Sequence, residues 1–125
     1  MLLVRYNGSF YAMKVLNKAH LVSKQLQDHV HREREIGLSV KSPFITHLHL
    51  TAQDDKNIYL LMDPILGSEV FHFMEKNCIM PKRGIAESTA AFFAACVVLA
   101  LEYLHADHIV YRDLKLENML MDQHG

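Results

Sequence analysis

The sequence is poor in the features that mark several classes of protein. It has two cysteines, Cys78 and Cys96, without a CxxC spacing or a second pair. This excludes a disulfide scaffold and a thiolate zinc site, and it favours a reducing compartment, so we expect a cytoplasmic location. The 13 basic residues are balanced by 14 acidic ones, and the net charge of −1 gives no basic footprint for nucleic acid or for a membrane surface.

Long hydrophobic runs are also absent from the sequence. The first four residues are apolar, but Arg5, Tyr6 and Asn7 end that run before the core of a signal peptide can form. The most apolar window, residues 90–101, is twelve residues without a charge, whereas a bilayer span needs about 20. The window therefore predicts a buried helix and no membrane span.

The first half of the chain has the pattern of strands around one helix. Asn7-Gly8 between two apolar runs is a strong hairpin signal, because both residues can adopt a positive φ. Ser42-Pro43 ends a polar, helix-tolerant stretch. The strand at residues 57–62 is continuously apolar and therefore predicted to be fully buried. The predicted strands cover residues 2–6, 9–16, 45–52 and 57–62, and the predicted helix covers residues 19–40.

Beyond Asp63-Pro64 the pattern is helical. Ser88 or Thr89 can cap a long helix, since a hydroxyl oxygen accepts from the free N–H groups of a first turn. The predicted short helix, loop and long helix cover residues 69–76, 77–84 and 88–105. The predicted fold class is α+β, with a hinge-like break near residue 63.

The strongest functional signal lies at residues 111–118, which read YRDLKLEN. This segment resembles the H-R-D-L-x-x-x-N catalytic loop of protein kinases. In that chemistry an aspartate accepts the proton of the substrate hydroxyl, and an asparagine binds a Mg²⁺ ion on the nucleotide phosphates. Asp113 and Asn118 hold these two positions, and Lys115 can neutralise charge on the transferred phosphoryl group.

A second motif precedes this loop in the order that kinases show. Residues 11–14, YAMK, resemble the third-strand V-A-I-K motif, whose lysine pairs with the nucleotide phosphates and with a helix glutamate. Lys14 is that lysine, and Glu33 is its expected partner. Glu35 lies two residues further and faces elsewhere on a helix.

Further segments are similar to the cyclic-nucleotide-dependent branch of the AGC serine/threonine kinases. Tyr111 in place of the usual histidine is typical of that branch, and Lys115 is typical of serine/threonine specificity. The matching segments are residues 11–16, 92–98 and 101–105, and within them the run at 95–98 favours the cGMP-dependent type. The resemblance implies a truncated bilobal kinase fold: a small lobe at 1–62 without its glycine-rich loop, a hinge at 63–66, and the start of the large lobe at 67–125.

The resemblance also implies ligands and the residues that bind them. Expected are ATP, Mg²⁺, protein substrates with arginine or lysine near the target residue, and a regulatory cyclic-nucleotide-binding domain elsewhere in the protein. Glu69 is expected to reach the ribose and a basic substrate residue, and Glu117 a second basic residue. The residues expected around adenine are Ala12, Met62 as gatekeeper, Asp63 and Ile65 through their backbone, and Leu120.

The sequence departs from the kinase pattern in four places. No G-x-G-x-x-G-x-V precedes Lys14, and no D-F-G follows Asn118. Leu116 stands where proline is usual, and Pro64 offers no N–H at the hinge. We therefore expect a fragment of a kinase that is inactive alone and that exposes a large apolar patch.

Two other functions compete with this prediction. A non-catalytic, kinase-derived binding module is disfavoured because decayed sites usually lose a catalytic residue. Here all five expected residues are present, namely Lys14, Glu33, Asp113, Lys115 and Asn118. A metal site is disfavoured because His47 and His49 would share a strand face without an evident third ligand.

Overall fold

The computed structural model describes residues 1–77 and 84–123. The chain divides into two compact units, Met1–Pro64 and Ile65–Gly125. The division falls inside the predicted hinge at 63–66. Most of the predicted loop at 77–84 lies outside the described residues.

The first unit contains a four-stranded antiparallel sheet in the order β1-β2-β4-β3. All four predicted strands are present. In the turn between the first two, Asn7 has a φ of 48° and Gly8 a φ of 88°, the two positive angles for which Asn-Gly is suited. The strands are β1 (Leu2–Tyr6), β2 (Ser9–Asn17), β3 (Leu48–Gln53) and β4 (Asn57–Met62).

The predictions for the last two strands need correction. β3 begins at Leu48 rather than at residue 45, because the N–H of Ile45 donates to the carbonyl of Ser42 in a turn. β4 is buried only at Leu60 and Leu61, while its other residues are half-buried. Neighbouring side chains on a strand point to opposite faces, so both faces of β4 are covered at these two positions but not along its length.

The predicted single helix at 19–40 is two helices, α1 (Lys18–Ser23) and α2 (Gln27–Ser39). Between them Gln25 has a φ of 54°, and the N–H of Leu26 donates to the carbonyl of Leu21. This is the hydrogen bond of a Schellman motif, which ends a helix with one residue in the left-handed region. Glycine or asparagine usually marks that position, so a glutamine there gave no signal.

Helix α2 packs on β3, and Gly37 permits the close approach. A Cβ atom at Gly37 would lie 3.0 Å from the Cβ of Leu48. The buried side chains of this unit are Leu21, Val30, Val40, Leu48, Leu60 and Leu61. This packing fixes α2, and with it Glu33, against the sheet that carries Lys14.

The second unit contains α3 (Val70–Asn77), α4 (Glu87–Ala106) and a 3-10 turn (Leu116–Asn118). The predicted cap of the long helix is wrong. α4 begins at Glu87, before both hydroxyl residues, and its N-cap Ala86 makes no side-chain hydrogen bond. Instead, the negative charge of Glu87 in the first turn interacts favourably with the positive end of the helix dipole and stabilises the helix.

Helix α4 is largely exposed in this chain, although a buried helix was predicted. Leu104 is its only buried residue, whereas Phe92, Val98 and Leu99 are 55%, 62% and 45% exposed. The full helix of 20 residues is long and apolar enough to cross a membrane, a test that the core helix of a soluble protein also passes. The length of the uncharged window therefore does not decide whether this helix spans a membrane. The exposed side chains of α4 form the apolar surface that was expected of this chain.

Candidate active site

The three predicted residues of the catalytic loop lie together in the second unit. The Nδ2 atom of Asn118 donates to the backbone carbonyl of Asp113 at 2.8 Å and to its Oδ2 atom at 2.7 Å. The Nζ atom of Lys115 lies 3.0 Å from Oδ1 of the same carboxylate. The 3-10 turn at Leu116–Asn118 folds the chain back, so four intervening residues bring the amide onto the aspartate.

The backbone leading into this network is unusual at Arg112. Its φ of 66° is in the left-handed region, which costs a residue other than glycine about 1–2 kcal/mol. Such conformations persist where the surrounding contacts hold them, and they cluster at functional sites. The two hydrogen bonds from Asn118 to Asp113 hold the next residue in this way.

The same contacts determine the electrostatics of the loop. The hydrogen bond from Lys115, followed by that from Asn118, lowers the pKa of the Asp113 carboxyl below its usual range. In return, the hydrogen bond to Asp113 raises the pKa of the Lys115 ammonium. Both groups therefore keep their charges at neutral pH, with the carboxylate as an acceptor and the ammonium beside it.

Replacing Lys115 by methionine is expected to raise the pKa of Asp113 toward the ordinary aspartate value, because the largest lowering contact is removed. Carboxyl ¹³C NMR titration of aspartate-labelled protein measures this shift, with Asp113 assigned through an Asp113→Asn variant. Asp54 is the internal control, since its lowered pKa comes first from the hydroxyl of Tyr59. An unchanged Asp113 titration would show that Lys115 does not hold this carboxylate.

In the first unit, Lys14 on β2 contacts Glu33 on α2. The Nζ atom lies 2.5 Å from Oε1, and the two side chains are 35% and 46% exposed. The structure thus places Glu33, rather than Glu35, against this lysine. Because both partners are solvent-accessible, the pair is expected to contribute little to stability, and the ammonium can be reached by an anionic ligand.

Two of the residues predicted around adenine are neighbours in the sheet of the first unit. Ala12 in β2 pairs with Met62, the last residue of β4. Asp63 follows directly, and its N–H donates to the carbonyl of His47 at 3.1 Å. Its carboxylate accepts from His49 at 2.6 Å, a contact that sequence reasoning missed.

The sequence indicated no role for His47 and His49 beyond the disfavoured metal pair. Across residues 1–77 and 84–123, no three His, Cys, Asp or Glu side chains are grouped so as to hold a metal ion. Instead both histidines contact Asp63. The signal that could have revealed this is the two histidines at the start of β3 and the acidic residue directly after the antiparallel β4.

Three other predicted residues line one cavity of about 320 Å³ in the second unit. Glu69 and Leu120 form a β-bridge, and the N–H of Met121 donates to the carbonyl of Ser68 at 2.8 Å. At Gly67 a Cβ atom would lie 2.2 Å from the carbonyl oxygen of Met121, so only glycine fits there. The residues lining the cavity are Ile65, Gly67, Ser68, Glu69, His72 and Leu120, whereas Glu117 is exposed on the 3-10 turn.

Comparison with known proteins identifies the family. The model of the protein kinase domain matches residues 2–125. The chain belongs to the protein kinase domain family. The predicted α+β kinase fold is thereby confirmed.

Several relatives of this kinase domain chain are cyclic-nucleotide-dependent kinases. It is 45% identical over 119 residues to a cAMP-dependent protein kinase catalytic subunit of Dictyostelium discoideum, covering 95% of the chain and 18% of that protein. It is 46% identical to the cAMP-dependent protein kinase catalytic subunit of Arthrobotrys oligospora, and the match covers 97% of the chain and 22% of that protein. It is 41% identical to the cGMP-dependent protein kinase, isozyme 1, of Drosophila melanogaster, and the match covers 92% of the chain and 14% of that protein.

The chain spans less than a quarter of the length of these three relatives, at 18%, 22% and 14%. Resemblance to the cyclic-nucleotide-dependent branch is confirmed. The identities do not strengthen the preference for the cGMP-dependent type that the run at 95–98 suggested.

Proposed function

We propose that the protein carrying this chain is a serine/threonine protein kinase that transfers the γ-phosphoryl group of ATP to protein hydroxyls. The observation that carries the proposal is the network in which Asn118 and Lys115 both contact the carboxylate of Asp113. A base, a cation and an amide on one short loop are the parts that phosphoryl transfer needs.

Asp113 is the proposed base. As the oxygen of a serine or threonine attacks the γ-phosphorus, its proton passes to the Asp113 carboxylate and the bond to ADP breaks. Lys115 holds that carboxylate ionised and places a positive charge beside the position where the phosphoryl group would pass. A carboxylate with a lowered pKa is a weak base, so it serves to orient the hydroxyl and to take the proton late in the step.

Asn118 fits the role of a magnesium ligand. Its amide nitrogen makes both hydrogen bonds to Asp113, which leaves the amide oxygen as the atom that can face a cation. Oxygen is the ligand that Mg²⁺ prefers. When bound, the ion supplies charge neutralisation at the nucleotide phosphates.

The remaining nucleotide contacts are assigned to the two units separately. In the first unit, Lys14 held by Glu33 is proposed to bind phosphate, with Ala12, Met62 and the backbone of Asp63 beside adenine. In the second unit, Ile65, Glu69 and Leu120 around their shared cavity are proposed to contact the adenine and ribose.

We propose that the substrates are basic, because Glu69 and Glu117 can bind arginine or lysine side chains. Both are acidic and lie in the unit that holds Asp113, Glu117 only one position before Asn118. Carboxylates bind arginine through paired charge-assisted hydrogen bonds. Substrates with Arg or Lys near the target residue would therefore be preferred. Similarity to cAMP- and cGMP-dependent kinases supports a regulatory cyclic-nucleotide-binding domain elsewhere in the protein. The proposed cytoplasmic location is supported only by the low cysteine content.

A phosphotransfer assay tests the proposal. The protein carrying this chain is incubated with Mg–ATP and two serine peptides that differ only in having arginine or alanine upstream of the target. We expect transfer to both and a preference for the arginine peptide. Nucleotide binding without transfer to any serine or threonine peptide would instead support the non-catalytic binding module.

A further inference from the structure

Asp63, at the predicted hinge, makes three hydrogen bonds with His47 and His49, the residues on either side of the first residue of β3. The N–H of Asp63 donates to the carbonyl of His47 at 3.1 Å, and the N–H of His47 donates back to Oδ2 at 3.3 Å. The ring of His49 donates from Nε2 to Oδ1 at 2.6 Å. Since the backbone N–H is occupied by His47, the carbonyl of Asp63 is the backbone group that remains to accept from a ligand.

The ring of His49 is itself held on both sides. The ring of Tyr11 on β2 lies edge-to-face at 5.1 Å between centroids, and that of His47 at 4.9 Å. The His47 ring is fixed in turn, because its Nδ1 donates to the carbonyl of the buried Val40 at 2.9 Å. His49 is therefore a pre-oriented donor aimed at Asp63.

The contacts of Asp63 with the two histidines have a local reason in the sequence. β4 ends at Met62, and Pro64 has no N–H with which to continue the sheet ladder. The peptide group of Asp63 would otherwise be held by a single backbone hydrogen bond. The carboxylate contacts with His47 and His49 supply the further anchors, and the shorter of them, to His49 at 2.6 Å against 3.3 Å, sets the direction of this carbonyl.

We propose that His49 is a positioning residue for the nucleotide, acting through Asp63 to aim the hinge carbonyl at the amino group of adenine. The inference rests on the proposed function. His49 and Asp63 are 35% and 42% exposed, so the contact is expected to contribute little to overall stability. Its effect should appear instead in the affinity for the adenine base.

The test compares ATP with an analogue that lacks the 6-amino group, both with Mg²⁺, in the protein carrying this chain. His49→Ala is expected to weaken ATP binding about fivefold, the effect of one exposed polar contact, and to weaken the analogue less than about twofold. The ATP KM should rise by the same factor with kcat unchanged. His49→Gln should restore ATP affinity, because its amide nitrogen can donate to the same carboxylate.

His29→Ala is the matched control, since this exposed histidine on α2 should change neither affinity. If the unaltered protein binds no nucleotide, the proposed function falls and the inference falls with it. If it binds ATP and His49→Ala binds both ligands as the unaltered protein does, the inference alone is overturned. An equal loss for both ligands would also overturn it, by showing a general structural role.

A second pair of variants covers the case in which His49→Ala does not fold. His49→Gln keeps a donor, whereas His49→Glu places a second carboxylate opposite Asp63. The glutamate variant should bind ATP about tenfold more weakly than the glutamine variant, with a smaller difference for the analogue. Equal ATP affinities of these two variants would overturn the proposal.

Discussion

Asp113→Ala in the protein that carries this chain is expected to lower kcat for peptide phosphorylation by about 10³-fold or more, as loss of a positioned base does. The dissociation constant for Mg–ATP should stay within about twofold, because Lys115 and Asn118 remain on the loop. Steady-state kinetics and equilibrium nucleotide binding measure the two effects separately.

The control for this prediction is Asp107→Ala. Asp107 is an exposed aspartate at the C-cap of α4, and its backbone, rather than its side chain, makes the capping hydrogen bonds. This variant should phosphorylate peptides at the unaltered rate. Transfer by Asp113→Ala within about tenfold of the unaltered protein would remove Asp113 from the role of base.

Lys14→Met is expected to lower kcat/KM by about 10²-fold, as removal of one donor to a reacting group does. The free energy of unfolding should change by no more than about 1 kcal/mol, because the pair with Glu33 is 35% and 46% exposed. Phosphotransfer kinetics and thermal unfolding of the same preparations show whether the lysine acts on the reaction or on the fold.

Two glutamate variants separate the ion pair from the general charge of α2. Glu33→Gln should lower kcat/KM about tenfold, because Lys14 loses the carboxylate that orients it. Glu35→Gln removes the same charge two residues away and should leave activity unchanged. Equal losses in both variants would show that the pairing of Lys14 with Glu33 is not what matters.

Local signals predicted the elements whose cause is local. Asn7-Gly8 indicated the first hairpin because its side chains permit positive φ, and the structure shows those angles. The end of α1 escaped prediction because Gln25 adopts the left-handed region without being glycine. There, hydrogen bonds across the helix end outweigh the preference of the residue itself.

Burial was the least predictable property of the chain. An apolar segment indicates that a surface should be covered, but the covering partner is a tertiary feature. β4 is covered on both faces only at Leu60 and Leu61, and α4 is covered only at Leu104. The composition of α4 satisfies the requirements of a core helix and of a membrane span alike.

The cluster of Asp113, Lys115 and Asn118 could be predicted from sequence because one short turn sets the spacing of these residues. Asp113, Lys115 and Asn118 are close in the chain, so the loop that joins them also determines their contacts. The partner of Lys14 needed the additional knowledge that helix positions two apart face different directions. That rule shows that only one of Glu33 and Glu35 can face Lys14, and the structure shows that it is Glu33.

By itself, then, the sequence determined the kinase family and the presence of four strands in the first unit, since both depend on residue types at short spacing. Only the tertiary structure decided where α1 ends, which apolar residues are covered, and that His49 contacts Asp63. His49 is on β3 and Asp63 directly follows β4, 14 positions away, so the fold alone brings this imidazole to the carboxylate.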